Sequence, residues 1–161
     1  MSCEFINYRF KATIASSKTF LRVYEVKTSQ TLYDLHEHIQ NDLGYAPDQM
    51  IEFRTLDKKG KQKHEYGLFD MGDGSIDNIT LQALRQNDEL TLLYVFDIRN
   101  DRALRLDFME ETEGSPRKVY PLTVEEKGTA PDQFSARTVD DEDEYALSDP
   151  EEYEVEGVEE D

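Results

Sequence analysis

The chain has 161 residues, 37% hydrophobic and 34% charged, with 36 Asp or Glu against 18 Lys or Arg for a net charge of −18. That length fits a single folded core, the acidity opposes approach to a nucleic-acid backbone, and the lone cysteine, Cys3, excludes an intrachain disulfide. The longest wholly apolar run, Leu92–Phe96, is far short of the ~20 residues of a membrane helix. The first ten residues lack a basic-then-apolar leader, so a cytoplasmic protein without membrane contact is expected.

From Phe5 the chain alternates. Ile6, Tyr8, Phe10, Ala12 and Ile14 share one face with Asn7, Arg9, Lys11 and Thr13 opposite, the pattern of a half-buried strand. A polar turn, "SSK", leads into "TFLRVYEVK", so the first two strands form an antiparallel hairpin. The period then changes: Leu32, Leu35, Ile39 and Leu43 make a helical stripe. Thr31 caps its start by accepting from the Asp34 amide, and Gly44 supplies a left-handed stop, which predicts a helix over Leu32–Leu43.

"MIEFRTL" reads as a strand, "DKKGKQKH" as a basic loop and "EYGLF" as a hairpin partner. A turn-rich loop, "DMGDGSIDN", precedes one or two helical turns in "TLQALRQ". "DELTLLYVFD" is the most hydrophobic strand, with "ALRLDFMEE" as its partner. "KVYPLTVEEKGTAPDQFS" is punctuated by Pro and Gly, so an irregular segment around the sheet edge is expected. Residues 137–161 hold 13 acids and one Arg, net −12, while residues 1–136 carry 23 acids and 17 bases. Self-repulsion and scarce apolar side chains predict a disordered acidic tail over 137–161, behind one α+β domain over 1–136. That domain is a mostly antiparallel sheet with one long helix packed on it and a short second helix.

The segment "TLYDLHEHIQ" sets two histidines and two carboxylates close together, but His36 and His38 project about 200° apart on a helix and cannot share a metal. The expected arrangement is a flank histidine, His36, bonded to backbone, with His38 in solvent and His64 exposed in the basic loop. Asp70, Asp73, Gly74 and Asp77 lack the spacing of a calcium loop and mark turns. Cys3, near a chain end, is a poor nucleophile candidate. Lys58–Lys63 is the one basic patch, a solvated hairpin tip or a contact for the chain's own acidic tail; four lysines are a thin footprint for nucleic acid. No cofactor or metal is called for.

Taken together and in order, "FKATIA", "FLRVYEV", "TLYDLHEHIQNDLGY", "MIEF", "EYG", "ITLQAL" and "LLYVFDIRNDRALRL" resemble the Ri-plasmid ORF-three-like family, often labelled transposon passenger proteins of the TnpR type, over Tyr8–Phe134. The resemblance implies an α+β fold and no established activity. Where family members read H-x-H-E-F this chain has Gln49 and Ile51, and its "FDIRNDR" keeps Asp97 and Asp101 but has Asn100 and Arg102 in place of an acid and a tryptophan. The family's C-terminal Cys is missing from "EEKGTAPDQF". If the family's His, Asp and Cys positions form a polar or metal site, His36, Asp97 and Asp101 are what this chain retains of it. Nor does the chain carry the nucleophilic Ser with supporting arginines that a resolvase needs. The leading expectation is a non-catalytic protein-binding or adaptor domain that meets a basic protein surface through residues 137–161. The alternative is an enzyme built on His36, Asp97 and Asp101, with burial raising the Asp97 carboxyl for acid–base work.

Overall fold

The computed structural model describes residues 6–70 and 72–134. The chain divides into two units, Met1–Pro131 and Asp132–Asp161. Of the second, only the irregular Asp132–Phe134 falls within the described residues; the expected disordered acidic tail and Cys3 lie outside them.

Among the described residues of the first unit seven strands form one sheet: β1 (Ile6–Ile14), β2 (Ser17–Lys27), β3 (Glu52–Leu56), β4 (Gln62–Gly67), β5 (Thr91–Asp97), β6 (Arg102–Glu113) and β7 (Leu122–Lys127). Their order is β4-β3-β5-β6-β1-β2-β7, and every neighbouring pair is antiparallel. Helix α1 (Leu32–Leu43) follows β2; a 3₁₀ turn (Ile76–Asn78) and α2 (Leu81–Gln86) lie between β4 and β5. No helix among the described residues is long and apolar enough to cross a membrane.

The ends of α1 follow from its caps. Thr31 Oγ1 accepts from the Asp34 amide at 3.2 Å while the Asp34 carboxylate accepts from the Thr31 amide at 3.0 Å, a reciprocal pair that satisfies two otherwise orphaned donors. Gly44 turns the chain out at φ 72°. Between the caps, Leu32, Leu35 and Ile39 are buried against one face of the sheet, where Phe10, Tyr24, Phe53, Leu92, Tyr94 and Leu104 meet them and Leu81 and Leu84 of α2 in one core. The opposite face mixes charged side chains with a few apolar ones such as Val23 and Val95. There Arg9 sits in register between Glu25 and Glu110, which its guanidinium reaches at 2.6 and 2.7 Å. The exposed Arg9–Glu110 pair contributes about 0–1 kcal/mol, whereas Glu25 is buried and depends on Arg9 for its charge partner, so the row specifies register as well as stability.

Two expectations are corrected. The strand expected at "EYGLF" begins earlier, at Gln62, because the turn is tighter than the basic loop suggests: the Asp57 carboxylate accepts from the Lys59 and Lys61 amides and closes the hairpin within five residues. The segment expected to be irregular contains β7, which pairs with β2 as the sheet's edge. Pro121 and Gly128 bracket this strand rather than break it, since an edge strand tolerates a proline at its start. Gly128 adopts φ 75°, and a Cβ there would stand 2.5 Å from the Thr19 carbonyl oxygen, so β2 and β7 approach closely only because no side chain intervenes.

Candidate functional site

The three residues singled out in the sequence take separate partners. His36, on α1, is buried, and its Nδ1 lies 2.9 Å from the Tyr94 hydroxyl of β5. It is bonded to a tyrosine rather than to backbone. Asp97, at the end of β5, accepts from the Asn100 amide at 3.3 Å and side chain at 3.1 Å and from Arg102 at 3.1 Å. Asp101, in a left-handed turn conformation at φ 56°, receives the Arg54 guanidinium at 2.8 Å. Burial alone would raise the Asp97 carboxyl, as expected from its place on a hydrophobic strand. The hydrogen bonds from Asn100 and Arg102 outweigh burial and hold it below its ordinary value, the setting of a fixed anion rather than an acid. Among the described residues no group of three or more His, Cys, Asp or Glu is placed to hold a metal ion.

A denser polar network lies beneath the second half of α1. Asp42 Oδ2 accepts from the Tyr24 hydroxyl at 2.9 Å and stands 3.4 Å from Arg22 Nε, an ion-pair distance without hydrogen-bond alignment. Its Oδ1 accepts from Thr123 Oγ1 of β7 at 3.1 Å, and Thr123 Oγ1 is 2.7 Å from His38 Nε2. A carboxylate only accepts, so the single hydroxyl proton of Thr123 goes to Asp42 and its lone pair takes the His38 Nε2 proton, which fixes that tautomer. The Tyr24 ring stands edge-on to His38 with centroids 5.3 Å apart. Arg22 is 5% exposed and also donates to the carbonyls of Leu21, Lys127 and Gly128. Burial, and next the Asp42 charge, push the Tyr24 phenol far up, so it remains a donor throughout the physiological range. His38 is therefore half-buried and engaged, not a solvent residue. His38 and Asp42 stand at i and i+4, one face of a helix; that spacing was the available signal.

The second cluster joins β3, β4 and the turn before β5. Glu89 is 2% exposed, and its carboxylate accepts from Thr55 Oγ1 at 2.7 Å and from His64 Nδ1 at 2.9 Å. His64, expected in solvent, is half-buried on β4 and stacks on Tyr66 at 5.9 Å. Nothing local in "QNDEL" announces a buried carboxylate, because its partners come from strands 25 and 34 residues away. The loop Asp70–Asp77 is a set of turns: Asp70 accepts from the Gly72 and Gly74 amides and Asp73 from the Glu65 amide. Lys58 pairs with Asp88 at 3.4 Å on the surface.

Burial lowers the basicity of His36 and of His38 from the ordinary 6.5, only partly opposed by the charges of Glu37 and Asp42 respectively. Both side chains are neutral in the fold, whereas the unfolded chain takes up protons near pH 6.5. The stability they support is full above that pH and is lost as pH falls from about 6.5 through the lower folded values. Urea midpoints measured from pH 8 to 5.5 are expected to decline below pH 6.5, with a shallower decline in a His36→Gln/His38→Gln double variant. Parallel curves for the two proteins would assign the decline to other groups.

The family described as plasmid pRiA4b ORF-3-like protein matches residues 7–157. A crystal structure of a protein of unknown function from Methanosarcina mazei Go1 is similar in fold, with a TM-score of 0.66 and 18% sequence identity over 79% of this chain and 72% of that one. No curated protein matches the chain.

Proposed function

The chain belongs to the plasmid pRiA4b ORF-3-like family, and on that premise we propose that it is a non-catalytic binding module whose residues 137–161 take up a basic protein surface. One observation in the folded part supports this: the carboxylates best placed for chemistry are each engaged by the fold itself. Asp42 serves Tyr24, Thr123 and Arg22; Glu89 serves Thr55 and His64; Asp97 serves Asn100 and Arg102; Asp101 serves Arg54. Side chains committed in this way stiffen a platform. The recognition element is then the segment with 13 acids, interrupted by Tyr145, Leu147, Tyr153 and Val155 as apolar anchors.

The enzyme alternative around His36, Asp97 and Asp101 has weaker support, since these three hold different partners and a lowered Asp97 is poorly suited to proton transfer. Nucleic acid is the least favoured partner, and the chain is read as cytoplasmic.

A labelled Lys/Arg-rich peptide titrated into the full chain tests the proposal by fluorescence anisotropy. Saturable binding is expected, weakening steeply with salt and falling at least tenfold when the acids of 137–161 are changed to Asn and Gln. Binding unchanged by that substitution would move the interaction to the folded surface and overturn the role given to the tail.

A further inference from the structure

The sheet row Thr112–Asn7–Lys27 crosses β6, β1 and β2 in register and ends beside the loop that leads to β7. Asn7 is 1% exposed, and its amide nitrogen is buried without a hydrogen-bond partner. The hydroxyl of Thr112, directly across from it, is in the same condition. A buried donor left unpaired is costly, and at Asn7 a ligand's acceptor would satisfy it. Asn7 lines a cavity of about 40 Å³ together with Lys27, Ser115, Lys118 and Tyr120. A single water needs ~10–15 Å³ of such space, so the cavity has room for a ligand group larger than one water.

The charge of the lining sets the polarity of that group. In a chain of net −18 this cavity is lined by two lysines and no acid. Its walls are held from both sides. The Tyr120 hydroxyl accepts from the Ser115 amide at 3.0 Å, and its carbonyl accepts from Gln30 at 2.7 Å, while the same Gln30 side chain accepts from the Lys27 amide at 3.0 Å. Gln30 thereby ties the lysine's backbone to the far wall, so the site is preorganised.

We propose that this cavity binds a phosphate group, held by the Asn7 amide and the ammonium groups of Lys27 and Lys118. Two ammonium groups and an amide suit a dianion with several acceptor oxygens better than a singly charged carboxylate with two. The proposal is independent of the acidic tail. Lys27 and Lys118 in its wall are both exposed, so the phosphate is either free or the end of a larger molecule.

The test is a titration of the full-length, ¹⁵N-labelled chain with inorganic phosphate at constant ionic strength in chloride, followed by the Asn7 side-chain amide signals. Saturable shifts are expected there and at Ser115 and Lys118. A Lys27→Ala/Lys118→Ala variant alters two exposed side chains; with an unchanged melting temperature to show that it folds, it is expected to bind roughly tenfold more weakly. A parallel titration with glycerol phosphate separates the sources: comparable affinity marks a phosphomonoester site, and much weaker binding marks a free-phosphate site. Non-saturable shifts, shifts matched by acetate, or an undiminished response in the double variant would overturn the assignment.

Discussion

Replacement of Asp42 by alanine is expected to destabilise the fold by about 3–5 kcal/mol, the cost of stripping one partner from a buried ion pair. The effect is large because the carboxylate serves three groups at once. The Arg22 and Asp42 side chains are 6% and 13% exposed, so neither regains full hydration when the other is removed. In Asp42→Ala the Tyr24 hydroxyl loses its acceptor under α1, the Thr123 hydroxyl loses its own at the sheet edge, and a guanidinium remains in the core with its charge uncompensated. Asp42→Asn keeps the shape and one acceptor oxygen, so about half that loss is expected from it. Urea unfolding of both variants, with Arg22→Met and the Asp42→Ala/Arg22→Met pair to complete a double-mutant cycle, measures the coupling. The pair should be less damaged than the sum of its parts, because removing both charges leaves none stranded. A loss below about 1 kcal/mol for Asp42→Ala would mean that water reaches these groups and that the network holds no weight.

How far this network was legible in the sequence depends on the distance over which each signal acts. The α1 caps at Thr31, Asp34 and Gly44 and its stripe of Leu32, Leu35 and Ile39 are local, and they fix Leu32–Leu43 before any tertiary contact is known. The three hairpins β1–β2, β3–β4 and β5–β6 follow from alternation and turns in the same way. The strand β7 was not legible, because its warrant is the edge of β2 about a hundred residues earlier and the side-chain-free approach of Gly128 to Thr19. His38 and His64 were placed in solvent on the polarity of their neighbours. What buries them comes from Thr123, 85 residues away, and Glu89, 25 residues away. For Asp97 one of the two opposing effects was visible. Its hydrophobic strand announces desolvation, but the tighter turn through Asn100 and Arg102, which reverses the direction, exists only once the hairpin is closed. The cavity beside Asn7 is likewise a product of register, since Lys27 joins Asn7 in its wall only through the pairing of β1 with β2.

Glu89 carries the second large expected effect. The left-handed Asp88, at φ 60°, turns the chain out of α2, and the Glu89 amide bonds back to the Leu84 carbonyl at 2.8 Å, so its carboxylate is delivered inward beneath β3 and β4. There it is the acceptor for Thr55, which is fully buried and whose own oxygen accepts from the His64 amide at 3.1 Å. Glu89→Ala leaves the Thr55 hydroxyl proton without an acceptor, removes the group that positions His64, and opens a void, for an expected loss of about 3 kcal/mol. Glu89→Gln retains an oxygen for Thr55 and an amide for the imidazole in its other tautomer, so about 1 kcal/mol is expected. Because the cluster anchors the outermost hairpin, the alanine variant should also release β4 ahead of the rest of the sheet. Native-state hydrogen exchange at Gln62–Gly67 is expected to accelerate more than exchange in β1 or β6. Uniform acceleration across all strands would show that β4 opens only with the whole domain. A stability unchanged by Glu89→Ala would mean that Thr55 and His64 barely compensate for burying this carboxylate, and the cluster would then be better sought as a site whose charge serves something other than the fold.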